Sequence, residues 1–172
     1  MLVGVDWGGT KIEAIAIGDD GEPIARLREA TPRSDYEGCL ATVASVVNTV
    51  EGQAGSTGSV GIGIPGSLDP RTGLAKGASS TWLNGRPVAD DLRRTLGRQV
   101  RVANDADCFA VSEAVDGAGV GHNVVFAVIL GSGAGAGVAW LAKLTMARTT
   151  ADEWGHNPLP RPDVTEIPGP AC

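Results

Sequence analysis

Asp6-Trp7-Gly8-Gly9-Thr10-Lys11 joins an apolar run, Leu2 to Val5, to an alternating one, Ile12 to Ile17. The pattern is strand, tight glycine turn, strand. Two adjacent glycines predict positive φ and a row of backbone N–H groups, which is how a loop without a helix cradles phosphate oxygens. Asp6 then lies beside that cradle. A carboxylate has no reason to neighbour a phosphate unless a cation bridges them, so one reading makes Asp6 a ligand of Mg²⁺ on a nucleotide, directly or through water. The other is an ordinary hairpin turn with a solvated Asp6. The sequence downstream separates the two.

Outward from the turn, Leu2 to Asp6, Lys11 to Ile17 and Ile24 to Glu29 predict an antiparallel meander, its second turn being Gly18-Asp19-Asp20-Gly21. Ser34 and Glu37 have capping-box spacing, and Leu40, Val43, Val46, Val47 and Val50 then recur at helical spacing as far as Gly52. Val60 to Ile64 reads as a buried parallel strand, broken by Pro65-Gly66-Ser67 where such a strand presents its carboxyl end to a ligand. Leu68 to Gly85 is a long loop holding Trp82, and loops of that length in compact domains are usually functional or disordered. A helix over Pro87 to Leu96, a strand over Val100 to Ala103 and a helix over Ala106 to Val115, with Phe109, Ala110 and Val111 partly buried, complete the first part. Gly117 to Gly121 reads as a domain boundary, and Val124 to Leu130 as a strand running into the glycine loop 131–137.

The chain of 172 residues carries net charge −6 and no cluster of Lys or Arg, so nothing marks it for nucleic acid or an anionic membrane. Its longest apolar run, Val124 to Leu130, is far too short for a bilayer. Three widely spaced cysteines, Cys39, Cys108 and Cys172, and an opening without an export signal predict the cytoplasm. Many of the 25 glycines gather in a few turns, as in ligand-binding loops.

Two strand-ending glycine loops predict phosphate-binding hairpins facing each other across a cleft. Gly131, Gly133 and Ala136 also fit a loose dinucleotide fingerprint, but no amphipathic helix follows from Val138, which sets that reading aside. Asp105, at a strand's carboxyl end and a helix's start, is placed to act as a general base on a bound hydroxyl. Asn and Asp are the preferred N-cap residues, so on local grounds capping is the favoured role for one of Asn104 and Asp105, though it does not easily explain both. Glu153 and His156, three apart, either present a carboxylate and an imidazole to one ligand or are solvated surface residues.

Taken together, the Asp6 to Lys11 turn, Gly61 to Ser67, Ser80-Thr81-Trp82-Leu83-Asn84-Gly85, Asn104-Asp105, the loop from Gly131, and Glu153-Trp154-Gly155-His156-Asn157-Pro158-Leu159-Pro160 resemble the ROK family of sugar kinases and repressors. The Ser80 to Gly85 and Glu153 to Pro160 runs resemble its fructokinase and mannokinase branch. The resemblance implies an α/β chain of the actin/hexokinase (RNase H-like) ATPase fold, with a complete first lobe over 1–116 and an incomplete second lobe over 117–172. It implies ATP-dependent phosphorylation of a hexose, fructose or mannose, at its primary hydroxyl, and possible homodimerisation of the full-length protein. Asp105 becomes the base. Asn104, Glu153, His156 and Gly66 bind sugar; Gly8, Gly9, Thr10, Lys11, Gly131, Ser132 and Gly133 bind the nucleotide's phosphates; Asp6 assists Mg²⁺. The family also has a structural Zn²⁺ held by one His and three Cys, of which His156 and Cys172 match the first two.

The pattern breaks in places. The chain ends at Cys172, so the remaining zinc ligands and most of the second lobe are missing, and two protein ligands do not make a closed zinc site. Ser79, Asp107, Ser132 and Asp152 stand where relatives often carry Asn, Asn, Thr and Gly. Trp140 to Thr150 has no glycine where the family has a strand, a turn and a glycine-rich loop. Codons read two bases late permit such a loop, so a frame excursion is expected there, against an unrelated but functional loop. Two other functional classes compete: an inactive truncated fragment, and a sugar-sensing repressor, which needs a helix-turn-helix before the strand that begins at Leu2.

Overall fold

The computed structural model describes residues 1–130, 134–140 and 143–144. Gly131, Ser132, Gly133, Glu153, His156, Cys172 and most of the Trp140 to Thr150 segment lie outside the described residues.

Strands β1 (Leu2–Trp7), β2 (Lys11–Ile17) and β3 (Pro23–Ala30) form the antiparallel meander. Helix α1 runs from Tyr36 to Ala54. Its cap is Asp35, not Ser34: the Asp35 carboxylate accepts from the Gly38 N–H at 2.9 Å. Ser34 instead sits at φ 60° in the entry turn. The helix also passes through Gly52 and stops at Gly55, whose φ of 68° supplies the left-handed cap. Tyr36, Leu40, Val43, Val47 and Val50 make one buried face.

Strand β4 (Ser59–Ile64) returns parallel to β1. The loop after it holds a short hairpin, β5 (Ser67–Leu68) with β6 (Ala75–Lys76), and a 3₁₀ turn at Thr81–Leu83. Helix α2 (Val88–Leu96) leads to β7 (Val100–Asn104), parallel to β4. The sheet order is β3-β2-β1-β4-β7. One sheet face is covered by α1 and α2 through Val3, Val5, Trp7, Ile12, Ala14, Val60, Ile62 and Ile64. Alternation along each strand sends Gly4, Asp6, Glu13, Gly61 and Gly63 to the other face.

Helix α3 (Asp105–Val115) follows β7 without a linker and packs chiefly on a second sheet. That sheet has the order β10-β9-β8, from β8 (Val124–Leu130), β9 (Ala134–Trp140) and β10 (Lys143–Leu144). Within the anomalous segment, Lys143 pairs with Trp140 and Leu144 with Ala139. Ala110 and Ala114 meet Ala127 and Ala139, with Val111 and Val125 beside them. Phe109, expected partly buried, is exposed because these small alanines form the packed face instead. Gly137 allows that close approach, since a Cβ there would lie 2.8 Å from the Asp107 Cα.

Candidate active site

The carboxyl ends of β1, β4 and β7 lie side by side, so the turns that follow them share one rim of the sheet. Asp6, Gly8, Gly9, Lys11, Gly66, Asn104 and Asp105 line a single open trough of about 1610 Å³. Thr10 is exposed and does not line it. Seven residues that the sequence proposed for phosphate, metal, sugar and base thus converge.

The glycine turn is built differently from the expectation. Neither Gly8 nor Gly9 has positive φ. The Gly8 N–H is also spent, donating to the Lys11 carbonyl at 2.9 Å. Glycine makes the fit looser here: a Cβ would stand 3.1 Å from the Lys11 carbonyl oxygen at Gly8, and 3.2 Å from the Ser80 hydroxyl at Gly9, close enough that each neighbour would have to shift slightly. Thr31 holds the turn from behind, its N–H donating to the Thr10 carbonyl at 3.1 Å and its hydroxyl to the Gly8 carbonyl at 2.8 Å. The N–H groups of Gly9 and Thr10 find no acceptor among the described residues.

Ser80 brings the second loop onto the first. It is buried, and its loop is closed by Asn84, whose Oδ1 accepts from the Ala78 N–H at 2.9 Å while its Nδ2 donates to the Ala78 carbonyl at 3.1 Å. Gly66 fixes the root of that loop. Its φ is 93°, and a Cβ would meet the backbone of Lys76 and Ala78 at 2.7 Å.

Asn104 resolves which residue caps α3. Its Oδ1 accepts from the Asp107 N–H at 3.1 Å, and its Nδ2 donates to the Gly66 carbonyl at 2.9 Å. Asp105 is therefore released from capping and becomes the first helical residue, its Oδ1 accepting from the Ala106 N–H at 2.8 Å. Most of the Asn104 amide is taken by the protein, which leaves one N–H for a ligand.

The charges around the rim are unevenly paired. The Asp6 carboxylate makes no hydrogen bond or close ion pair among the described residues. Burial by the surrounding protein pushes its pKa above the usual carboxylate value, Lys11 and Arg28 pull it down, and Glu13 pushes it up. Glu13, opposite Asp6 on β2, is buried and collects three cations: Arg26, Arg28 at 2.8 Å and Lys11 at 3.3 Å. Burial alone raises the Glu13 pKa, but the bonds from Arg26, Arg28 and Lys11 outweigh it and hold the group below its ordinary value. Cys108, one turn into α3, is open to solvent on one side, and the protein packed around its other side, with the carboxylates of Asp107, Asp105 and Asp6, pushes its thiol up to about 11. These acids therefore share one electrostatic neighbourhood.

Sequence reasoning passed over Glu13 and Thr31, and quoted Ser80 only as the head of the Ser80 to Gly85 run, without a role. Glu13 was the legible one, since an acid inside an apolar alternating strand, with Arg26 and Arg28 two apart on the next, predicts a cross-strand cluster.

A mixed sheet of this order, handing over through an acid-led helix to a second sheet, is the actin/hexokinase ATPase fold with its second lobe incomplete. The chain belongs to the ROK family, whose sequence model matches residues 2–172. N-acetyl-D-glucosamine kinase of Vibrio cholerae is 41% identical over 161 residues, covering 93% of this chain and 53% of that protein. The ROK family glucokinase of Streptomyces griseus, solved with glucose and AMPPNP, superposes with a TM-score of 0.80 at 33% identity, covering 91% of this chain and 50% of that one. A ROK family transcriptional regulator, homologue of the E. coli MLC protein, shares the fold at TM-score 0.73 and 17% identity, covering 99% of this chain and 45% of its own. The chain spans about half the length of the curated relatives it matches.

Proposed function

We propose that this chain is the amino-terminal part of an ATP-dependent hexose kinase, residues 1–116 supplying the first lobe and 117–172 the start of the second, with α3 as the layer they share. The observation that carries the reading is the division of labour at the end of β7. Asn104 caps α3, and Asp105 is thereby presented to the same trough as Asp6 and the glycine turn.

In this reading a sugar hydroxyl lies against Asp105, which takes its proton as the oxygen attacks the terminal phosphoryl group. The Gly9 N–H and the Lys11 ammonium hold phosphate oxygens, while Thr10, the phosphate ligand expected from the sequence, stands outside the trough. Asp6 suits Mg²⁺, because it lines the trough without a competing hydrogen bond among the described residues, and the ion when bound would neutralise phosphate charge. Gly131, Ser132 and Gly133 as the opposite phosphate loop, Glu153 and His156 as sugar ligands, and His156 with Cys172 toward Zn²⁺ remain proposals on residues outside the described set. So do homodimerisation and a cytoplasmic location; among the described residues no helix is long and apolar enough to cross a membrane.

For the sugar, the Ser80 to Gly85 run supports fructose or mannose, whereas the named relatives support N-acetylglucosamine. The test is a steady-state assay of this chain continued through the carboxyl-terminal half of the Vibrio cholerae relative. MgATP is paired in turn with fructose, mannose, glucose and N-acetylglucosamine, and the highest kcat/KM is expected with fructose or mannose. A tenfold preference for N-acetylglucosamine overturns the sugar assignment, and absence of ATP-dependent turnover with every sugar overturns the kinase reading. A sugar-sensing regulator is supported by fold likeness alone, and the net charge of −6 works against DNA binding.

A further inference from the structure

Behind the glycine turn, two tryptophans flank one cysteine. Trp7, the residue before Gly8, is fully buried, and its ring stacks on that of Tyr36 with 6.5 Å between centroids. Trp82, two residues past Ser80, packs against the same core. The Nε1 atoms of both indoles are shut off from solvent, and neither meets an acceptor in aligned hydrogen-bond geometry among the described residues. Buried donors are rarely left so. Both lie against the sulfur of Cys39, itself fully buried in the first turn of α1. The Cys39 thiol donates to the Pro32 carbonyl at 3.2 Å, and Pro32 follows Thr31, whose N–H and hydroxyl hold the glycine turn from behind.

We infer that Cys39 is a positioning residue: its sulfur is the shared acceptor of the two indole N–H groups and holds the Ser80 loop in register with the glycine turn. Sulfur suits the task, being a soft, weak acceptor that two donors can approach at once. The same two loops also meet at Gly9, where the Ser80 hydroxyl stands. Cys39 adds a contact through Trp7 and Trp82, so the loops are tied twice and move as one. The functional consequence rests on the kinase reading, in which the tie fixes the spacing between phosphate and hexose.

Amide exchange of the chain alone, read by NMR, tests the tie without any ligand. Gly8 and Thr31 report the glycine turn, and Ala78 and Leu83 the Ser80 loop, since each of these N–H groups is hydrogen-bonded there. Cys39→Ala is expected to speed exchange at all four by about tenfold, Cys39→Ser to bring it back within about threefold, and Cys39→Val, which fills the space without an acceptor, to leave it fast. Trp82→Phe keeps most of the ring but drops the N–H, and should quicken Gly8 and Thr31 from across the contact. If Cys39→Ala does not fold, the other three variants decide. Protection kept in Cys39→Val and lost in Cys39→Ser would reduce the thiol to packing and overturn the inference, as would a Trp82→Phe effect confined to the Ser80 loop. In the chain continued through the Vibrio cholerae carboxyl-terminal half, Cys39→Ala should raise KM for hexose and MgATP together, with Cys39→Ser restoring both. A rise for one substrate alone counts against the tie. The kinase reading fails separately: a parent without turnover leaves the exchange result standing, and uncoupled loops in an active kinase sink the tie alone.

Discussion

The Asn104 side chain joins the ends of two parallel strands, its Nδ2 donating to the Gly66 carbonyl at 2.9 Å while its Oδ1 caps α3. Asn104→Ala removes both bonds and leaves a buried carbonyl unpaired. The expected cost is about 2–4 kcal/mol, a cap plus an unsatisfied acceptor, read from urea unfolding. Asn104→Asp keeps the cap but sets a carboxylate against that carbonyl, so it should recover only part of the loss. Equal stability of Asn104→Ala and the parent would show that the bridge contributes nothing.

Gly66→Ala should be among the most damaging single-methyl additions in the chain. Its φ of 93° disfavours any side chain, and the new atom would meet backbone at 2.7 Å. A loss of about 3 kcal/mol or more is expected, or no soluble protein at all. A folded variant with an unchanged unfolding midpoint would contradict the packing.

Asp105→Asn, in the chain continued through the Vibrio cholerae carboxyl-terminal half, should lower kcat at least about 10²-fold while leaving the affinity for sugar within a few-fold. Calorimetric titration with the preferred hexose separates the two effects. Turnover within a few-fold of the parent removes Asp105 from the role of base.

The Glu13 cluster predicts a pH signature. Because the folded-state pKa lies below the ordinary glutamate value of 4.5, the cluster's contribution is present above that pH and fades as pH falls through the lower, folded value. Glu13→Gln should therefore destabilise at pH 7, by about 1–2 kcal/mol given that the three cations are half-exposed. The gap between variant and parent should narrow below pH 4.5. A gap that is constant from pH 7 to pH 3 would falsify the linkage.

With its thiol near 11, Cys108 should alkylate slowly despite being exposed. At pH 8 about one molecule in a thousand carries the thiolate, against about one in ten for an ordinary thiol, and the greater nucleophilicity of the more basic thiolate offsets part of that, so iodoacetamide should react roughly tenfold more slowly. Peptide-level mass spectrometry reads the site. Asp105→Asn should speed the reaction, and a rate matching a free cysteine would mean the neighbouring carboxylates are not felt.

Periodicity made most elements legible. Val43, Val47 and Val50 specify a helix face, and β1, β2, β4, β7 and β8 fall within a residue or two of where alternation and apolar runs place them. Close approach between distant residues was not legible. The Gly8-Gly9 pair looks like a positive-φ cradle because local sequence records glycine but not Ser80, whose hydroxyl arrives from seventy residues away to occupy the space. The α1 cap moved from Ser34 to Asp35 for a related reason, as either side chain can reach an N–H three residues on and tertiary contacts decide. Asn104 and Asp105 were legible as a pair, yet their separate roles needed the Gly66 carbonyl, which local sequence could not place beside them.

Because α3 is capped by a strand of the first sheet but packed against the second, the Asn104–Asp105 peptide lies at the junction of two bodies. Were the sheets to turn about that junction, displacement would grow with distance from the axis. The far ends of β8 and β9 would sweep widely, while the Asp105 carboxylate, nearest the pivot, would barely travel. Such a turn would leave the Asp105 carboxylate beside the rim while the strands beyond it changed position.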